Sequence, residues 1–473
     1  MDVRPKHRPG GTSSESKRII ETVLDLPVEL LLQIFSYLDV KSLGRLGLVS
    51  RRLRLLSRDD VSWSRLLQHS PALPVLCPAP SDAFPPPTGY DLARVSNNWQ
   101  TGTFEAQRVV SFRGKEIPRL RTGGSQRQDL YSSRGRVVEK RPLGPKRRRD
   151  TEIVFQGFVD DVADFVVDTG RDRLIAGCRD GSVGSWPLED EAGDFTRTER
   201  YDVKWKGKKT TKSVAKRFAN RIVKNAHDGD VHAVAARDDV VWTGSRDTFV
   251  KVWRFRDSSS GHRDGESGDD ATLLTAVPTG DRVWSLACAP EGAAFASGTA
   301  GVNGIPALRL WSAEGGRFLG ALGDPTHARN GAGILHLHFE TPHSLVSAGY
   351  DTCLRVWDLR SWSRALELED PHDDAVYCAC SDERSPLIVT GTARHAVVNV
   401  WDRRKAKAPL RMIYVNHINQ VSSSSPVYSL AVDWNRLYAA YDLGISSLDF
   451  GIYRGVRQFV KGSYSYSHRD EAG

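Results

Sequence analysis

The sequence predicts a small all-α module of three helices followed by an all-β propeller, seven-bladed, with six or eight blades left open. Three observations predict it. Residues 24–67 carry apolar residues at helical spacing, a tryptophan-ended phrase recurs along the second half, and a proline-dense stretch lies between them. With 473 residues and 40% hydrophobic content, the chain can form one small domain beside a large one with a sizeable core.

In the helical module, Leu30, Ile34 and Leu38 stand at i, i+4 and i+8 and form one apolar stripe. Pro27 suits a first turn, where its missing N–H is no loss. A second helix is predicted from Ser42 to about Arg54, with Leu43, Leu46 and Val49 on one side. Asp59-Asp60 cap a third that holds Trp63. A unit of about 45 residues buries its apolar surface poorly alone, so a partner is expected. Next comes PALPVLCPAPSDAFPPP, with seven prolines in 17 residues, a stiff segment that marks the boundary. The predicted organisation is a basic disordered N-terminus (1–22), the helical module (23–68), a linker and bridge (69–103), the propeller (104–455) and a tail (456–473).

The phrase ends at Trp186 (LIAGCRDGSVGSW), Trp253 (VWTGSRDTFVKVW), Trp311, Trp357 (LVSAGYDTCLRVWD) and Trp401 (IVTGTARHAVVNVWD); a last copy, LYAAYDLGISSLDF, ends at Phe450. The shortest gaps, 46 and 44 residues, match the ~40–45-residue period of a four-stranded blade. Each copy reads as two strands around a turn, with another strand upstream (DVADFVV, DVHAVAA, DRVWSLAC, GILHLHF, DAVYCAC, PVYSLAV). Six copies give six blades, and the runs RVVSF, RVVEK and EIVFQ within 104–156 supply a seventh. Blades bury their faces only against neighbours, so the ring must close, with strands from both chain ends expected in the last blade. The lysine-rich stretch 189–226 lengthens the first gap and is expected as an inserted loop.

These residues carry two resemblances. The set of an upstream His, a turn Asp and a blade Trp resembles WD repeats: His227, Asp247 and Trp253 complete it, Asp351 with Trp357 lacks the His, and Trp401 has His372 but no turn Asp. Leu26, Pro27, Glu29, Leu30, Ile34, Phe35, Leu38, Leu43, Val49, the run Ser50-Arg51-Arg52-Leu53, Asp60 and Trp63 resemble an F-box. The module order, the NNW segment, DRVWSLA, WDLR and WDRR are most similar to the dactylin-type F-box/WD-repeat proteins over about residues 24–451. The resemblance implies a substrate-recognition subunit of an SCF-type ubiquitin ligase, non-catalytic, whose substrate is ubiquitinated and typically degraded. Leu26, Pro27, Leu30, Ile34, Leu38, Leu43, Leu46 and Val49 would then face a Skp-type adaptor, and through it cullin and RING subunits.

The residue after the first Val, or its equivalent, of each upstream strand is expected at the propeller mouth: Ala163, His232, Trp284, Leu335, Tyr377 and Tyr428. Arg179 and Arg246 in the turns, with Arg282 nearby, complete the candidate substrate site around His232, Trp284, Tyr377 and Tyr428, because aromatics and Arg dominate binding hot spots. Related receptors clasp phosphorylated segments with arginines on this face, so the resemblance leaves a phosphorylated protein substrate open. No GxSxG, GxxxxGK[ST] or HExxH motif occurs, so no catalytic residue is assigned. The six cysteines form no CxxC pair, and His336 and His338 read as channel-facing; no metal or cofactor is expected.

The net charge of +8 is unevenly spread: residues 101–150 hold 14 Lys/Arg against 5 acids, and residues 197–224 hold 11 against 2. Lys146–Arg149 and Lys204–Arg217 fit import signals, nucleic-acid contacts or solvated loops. With only Trp205 and Phe218 interleaved, nucleic acid is not expected as the partner; a scaffold binding nucleic acid through these segments is the alternative reading. No apolar run approaches 18 residues and no secretory pattern opens the chain, so a location in cytoplasm or nucleus and no membrane partner are expected.

Overall fold

The computed structural model describes residues 26–69, 87–112, 114–123, 129–143, 152–189, 193–205, 208–255, 271–302, 304–323, 333–415 and 424–452. Two compact units divide the chain, the first reaching Ala72 and including Thr88–Ala93, the second taking the rest.

Among the described residues up to His69, the first unit has four short helices: α1 (Val28–Phe35), α2 (Val40–Val49), α3 (Arg51–Leu56) and α4 (Asp60–His69). That is one more than predicted, because the expected helix over 42–54 breaks at Ser50. Ser50 takes an extended conformation (φ −150°, ψ 162°), and its hydroxyl accepts from the Leu53 N–H, capping α3. Asp39 caps α2 through the Ser42 N–H in the same way, and Asp59 accepts from the Ser62 N–H at the start of α4. Leu31, Phe35, Leu43, Leu53 and Trp63 are buried. The Trp63 indole N–H donates to the Ser57 carbonyl, and its ring meets Tyr90 edge-on at 5.3 Å. Tyr90 lies on α5 (Gly89–Thr101), a helix within the expected linker.

Among the described residues seven sheets form the second unit, each a blade and antiparallel but for one pair in blade 1, confirming the seven-bladed reading. Blade 1 begins with Leu120–Gly123, Asp129–Arg134, Val137–Pro142 and Glu152–Gln156. The innermost strands of blades 2 to 7 are Val162–Asp168, Val231–Arg237, Val283–Cys288, Ile334–Thr341, Val376–Ser381 and Val427–Val432. The ring closes as expected, but with a different strand. Glu105–Ser111, which contains most of RVVSF, pairs antiparallel with Gly444–Asp449 as the outer strand of blade 7 instead of joining blade 1. Trp99 stacks on Phe450 at 3.7 Å beside that seam, and the Asn98 amide donates to the Phe450 carbonyl.

Blades seat against one another through glycine. A Cβ on Gly177 would meet Val231 of the next blade at 2.3 Å; on Gly244 it would meet Val283 at 2.5 Å, and on Gly298 it would meet Ile334 at 2.8 Å. The first branched residue of each inner strand thus fills a notch left by the missing side chain.

Within blade 3 a buried chain of hydrogen bonds joins the predicted His, Asp and Trp. His227 Nδ1 lies 2.8 Å from Asp247, His227 Nε2 lies 2.7 Å from the Thr243 hydroxyl, and the Trp253 indole N–H donates to Thr243 at 2.9 Å. Burial pushes the imidazole pKa of His227 down, so the neutral ring donates from Nδ1 to Asp247 and accepts at Nε2. Trp311, Trp357 and Trp401 donate likewise to Ser297, Ser347 and Thr390. Where the set departs, other pairs stand in. Asp351 binds Arg355, and in blade 6 Asp370 accepts from the Asn399 amide while His372 is exposed.

The expected loop at 189–226 contains strands instead. Thr196–Trp205 and Lys208–Phe218 form a β-hairpin whose second strand runs parallel to Glu152–Gln156, making blade 1 six-stranded. Arg221–Val223 then supplies the outer strand of blade 2. Thr, Val, Tyr and Trp alternate with the charged residues here, and the lysine count hides that period-2 pattern. Lys146–Arg149 lies outside the described residues.

Candidate functional site

Two surfaces carry the candidate residues. In the helical unit, Leu30 and Ile34 are 46% and 42% exposed one turn apart on α1, and Val49 at the end of α2 is 70% exposed. Pro27 is also exposed, while Leu26, Leu38 and Leu46 are half-buried. Leu43 corrects the predicted set: it is fully buried in the unit's own core and unavailable to a partner. Sequence reading missed Leu48, Leu55 and Val61, all exposed. Leu55 was missed because the second helix was expected to end near Arg54, whereas α3 starts afresh at Ser50 and runs to Leu56. So many large apolar side chains in solvent on so small a unit make this face the candidate interface.

The mouth of the ring is built by a repeated irregularity. Each predicted mouth residue is the extra residue of a β-bulge. Between inner and second strands the register jumps from Val162 to Asp164, Val231 to Ala233 and Val283 to Ser285, and likewise across Leu335, Tyr377 and Tyr428. A bulge leaves one residue outside the ladder and re-aims its side chain. His232, Trp284, Leu335 and Tyr428 line a central cavity of about 460 Å³, within the size range of ligand pockets.

The rings form a continuous arc: Trp284 meets Tyr350 at 5.4 Å, Tyr350 meets Tyr377 at 6.2 Å, and Tyr377 meets Tyr428 at 6.0 Å, all edge-to-face. Tyr350 was missed although its signal was present. It immediately precedes the turn residue Asp351, the position that Arg179 and Arg246 hold before Asp180 and Asp247. Burial pushes the hydroxyls of Tyr377 and Tyr428 up, so both stay protonated donors.

The other side of the mouth is cationic. Arg179, Arg246 and Arg282 are exposed, with Arg179 3.8 Å from Asp161. Arg119, also missed, lines the cavity: its Nε donates to the Ala163 carbonyl of blade 2 and its Nη1 to the Tyr428 carbonyl of blade 7, the two blades that flank its own. Burial lowers the His232 pKa; Asp230 opposes this, and Arg119, Arg246 and Arg179 lower it further, so the ring is neutral beside three guanidiniums. Arg121 is paired with Asp164 at 2.8 Å. Deeper in the cavity His336 and His338 are hydrogen-bonded at 3.0 Å, and His338 reaches the Ser381 hydroxyl, which bonds Glu340 beside Arg403. Among the described residues no group of three His, Cys, Asp or Glu could hold a metal ion, and no helix is long and apolar enough to cross a membrane.

An apolar helical unit and a seven-bladed repeat propeller define the class, and comparison with known proteins places the chain within it. A family model described as F-box-like matches residues 23–69. The chain is 30% identical over 430 residues to F-box/WD repeat-containing protein 4 of Homo sapiens, covering 90% of this chain and 92% of that one. It is 45% identical over 51 residues to F-box/WD repeat-containing protein 8 of Homo sapiens (11% and 8% of the chains). Over 262 residues it is 24% identical to a probable E3 ubiquitin ligase complex SCF subunit, sconB, of Talaromyces marneffei (54% and 31%). The chain belongs to the F-box/WD-repeat proteins.

Proposed function

We propose that the chain is the substrate-recognition subunit of an SCF-type ubiquitin ligase. Its helical unit docks a Skp-type adaptor, and with it cullin and RING subunits, and its propeller mouth holds the protein to be ubiquitinated. The observation that carries this reading is the pair Leu30 and Ile34, apolar, one turn apart and exposed on the first helix of an F-box-matching segment. The Talaromyces relative, a probable E3 ubiquitin ligase complex SCF subunit, supports it.

The mechanism is proximity. Ubiquitin transfer needs a substrate lysine held near the loaded conjugating machinery, and tethering both raises their effective concentration without a catalytic group on this chain. At the mouth, Trp284, Tyr350, Tyr377 and Tyr428 supply rigid apolar anchor surface at low entropic cost, while Arg179, Arg246 and Arg282 offer forked donors to anionic groups, a phosphate included.

One experiment separates the two surfaces: proximity labelling in cells with wild type, Leu30→Asp/Ile34→Asp and Trp284→Ala/Tyr350→Ala. The helical variant loses adaptor labelling and keeps substrates, and the mouth variant does the reverse. Retention of adaptor by Leu30→Asp/Ile34→Asp sinks the receptor reading; identical protein sets from wild type and the mouth variant sink the mouth.

A further inference from the structure

The central cavity carries one charge that the propeller leaves unanswered. Among the described residues, three charged ones line it: Arg119, Arg121 and Asp164. Arg121 and Asp164 pair with each other at 2.8 Å, and Arg119 has no acidic partner. Instead its Nε and Nη1 donate to the carbonyls of Ala163 and Tyr428. Both acceptors belong to bulged residues of the flanking blades, which fixes the guanidinium at the level of the mouth. Two of its five N–H donors are used in this way, and three remain. The charge is felt on both sides of the opening: it lowers the pKa of His232 and works against the rise at Tyr377.

An unpaired guanidinium with free donors in a cavity calls for an anion, and the charge balance selects which. A carboxylate carries one charge and takes a guanidinium through two parallel hydrogen bonds. A phosphate monoester carries about −1.5 to −2 at neutral pH, so a phosphate seated on Arg119 would need a second unpaired cation inside the cavity. None lines it among the described residues. Arg179, Arg246 and Arg282 are exposed and do not line the cavity, so they attract an acidic segment from water, where screening weakens them. The aromatic side supplies the second element. Tyr428, whose carbonyl holds Arg119, is also one end of the aromatic arc, 6.0 Å from Tyr377. An apolar side chain can therefore pack on the rings beside a carboxylate bound at Arg119.

We infer that the mouth reads its substrate through an unphosphorylated carboxylate on Arg119, with an apolar side chain beside it on the aromatic arc. This rests on the receptor reading and names the chemistry of its substrate. The carboxylate comes from an Asp or Glu side chain or from a protein's C-terminus, and the test separates the two. The full chain is applied to arrays of hexapeptides tethered by their N-termini and randomised over uncharged residues. Each array has one fixed feature: an internal Glu, Gln or phosphoserine with an amidated end, or no acid and a free C-terminal carboxylate. Retention by the Glu array, the free-carboxylate array or both exceeds that of the Gln array about tenfold or more, as a charge-assisted pair requires. Phosphoserine gains nothing over Glu. Arg119→Gln levels the arrays, and its melting temperature shows whether it keeps the fold; if it does not, the comparison of arrays on the unsubstituted chain decides alone. Stronger retention by phosphoserine than by Glu overturns the inference. So does retention that no carboxylate improves, or no retention at all. Adaptor loss from Leu30→Asp/Ile34→Asp is read separately, so failure here is distinct from failure of the receptor reading.

Discussion

The two units solve the problem of apolar surface in opposite ways. In the helical unit Leu30, Ile34, Leu48, Val49, Leu55 and Val61 remain in solvent around a core of a few side chains such as Leu31, Phe35 and Trp63. In the propeller every blade buries its faces against two neighbours, and the large apolar groups left accessible at the centre are gathered in the arc from Trp284 to Tyr428. The first unit leaves apolar groups uncovered, whereas the second covers its own by closure. Its stability should therefore fail at the seam, where chain ends meet, and at the notches where blades seat.

Breaking the seam should have the largest effect. Glu105–Ser111 is the strand that the N-terminal side of the propeller contributes to blade 7. In an antiparallel pair alternate N–H groups face the partner, so Gln107→Pro/Arg108→Pro removes one ladder bond whichever residue donates. The expected cost is about 3 kcal/mol or more, read as a lowered melting temperature and early proteolysis near residue 105. A variant that melts with wild type would mean that three strands suffice for the last blade.

Acid should weaken the propeller next. Burial lowers the pKa of His227, takes that of His338 to about 4 and that of His336 well below its ordinary value. Each is lower in the folded chain than in the unfolded one, where about 6.5 applies. The unfolded state therefore binds more protons between these values, and the stability held by the neutral rings is complete above about pH 6.5 and lost as pH falls toward 4. Glu340, held ionised by Arg403 and Ser381 against its burial, adds to the loss, while the raised carboxyls of Asp370 and Asp374 work in the opposite sense. Melting temperatures between pH 7 and pH 5 check the sign, and His336→Gln/His338→Gln should flatten the dependence. A profile equally steep in that variant would place the acid sensitivity elsewhere.

What the sequence made legible follows the same division. The repeat, the closure and the mouth positions could all be read because each inner strand of blades 2 to 7 opens with a branched residue followed by the bulged one. His232, Trp284 and Tyr377 were found by that rule alone. Tyr350 escaped because its turn position was searched for arginine, and Arg119 because the strand that follows it in blade 1 had not been recognised. The hairpin at 196–218 was hidden by its lysines, since charge density masks an alternation that only pairing reveals. In the helical unit the stripe was legible but its depth was not. Leu43 shares a spacing with Leu46 and Val49 yet turns inward, a distinction set by how α2 packs on its neighbours.

The smallest effects come from two glycines, one in each unit, given the same substitution. Gly244→Ala adds a methyl group 2.5 Å from Val283 and 2.9 Å from Leu286, both on the next blade's inner strand. Two packed sheets cannot part locally, so overpacking of about 1–3 kcal/mol is expected. Gly44 lies inside α2, and an added Cβ there meets nothing within 4 Å. Gly44→Ala should then stabilise the helical unit by up to about 1 kcal/mol, because the helix no longer loses the extra backbone freedom of glycine. Denaturant unfolding of each variant, followed at tryptophan for the propeller and by helical circular dichroism for the first unit, reads the two signs separately. Equal signs would mean that the notches between blades are looser than 2.5 Å contacts allow, and that closure rather than seating holds the ring.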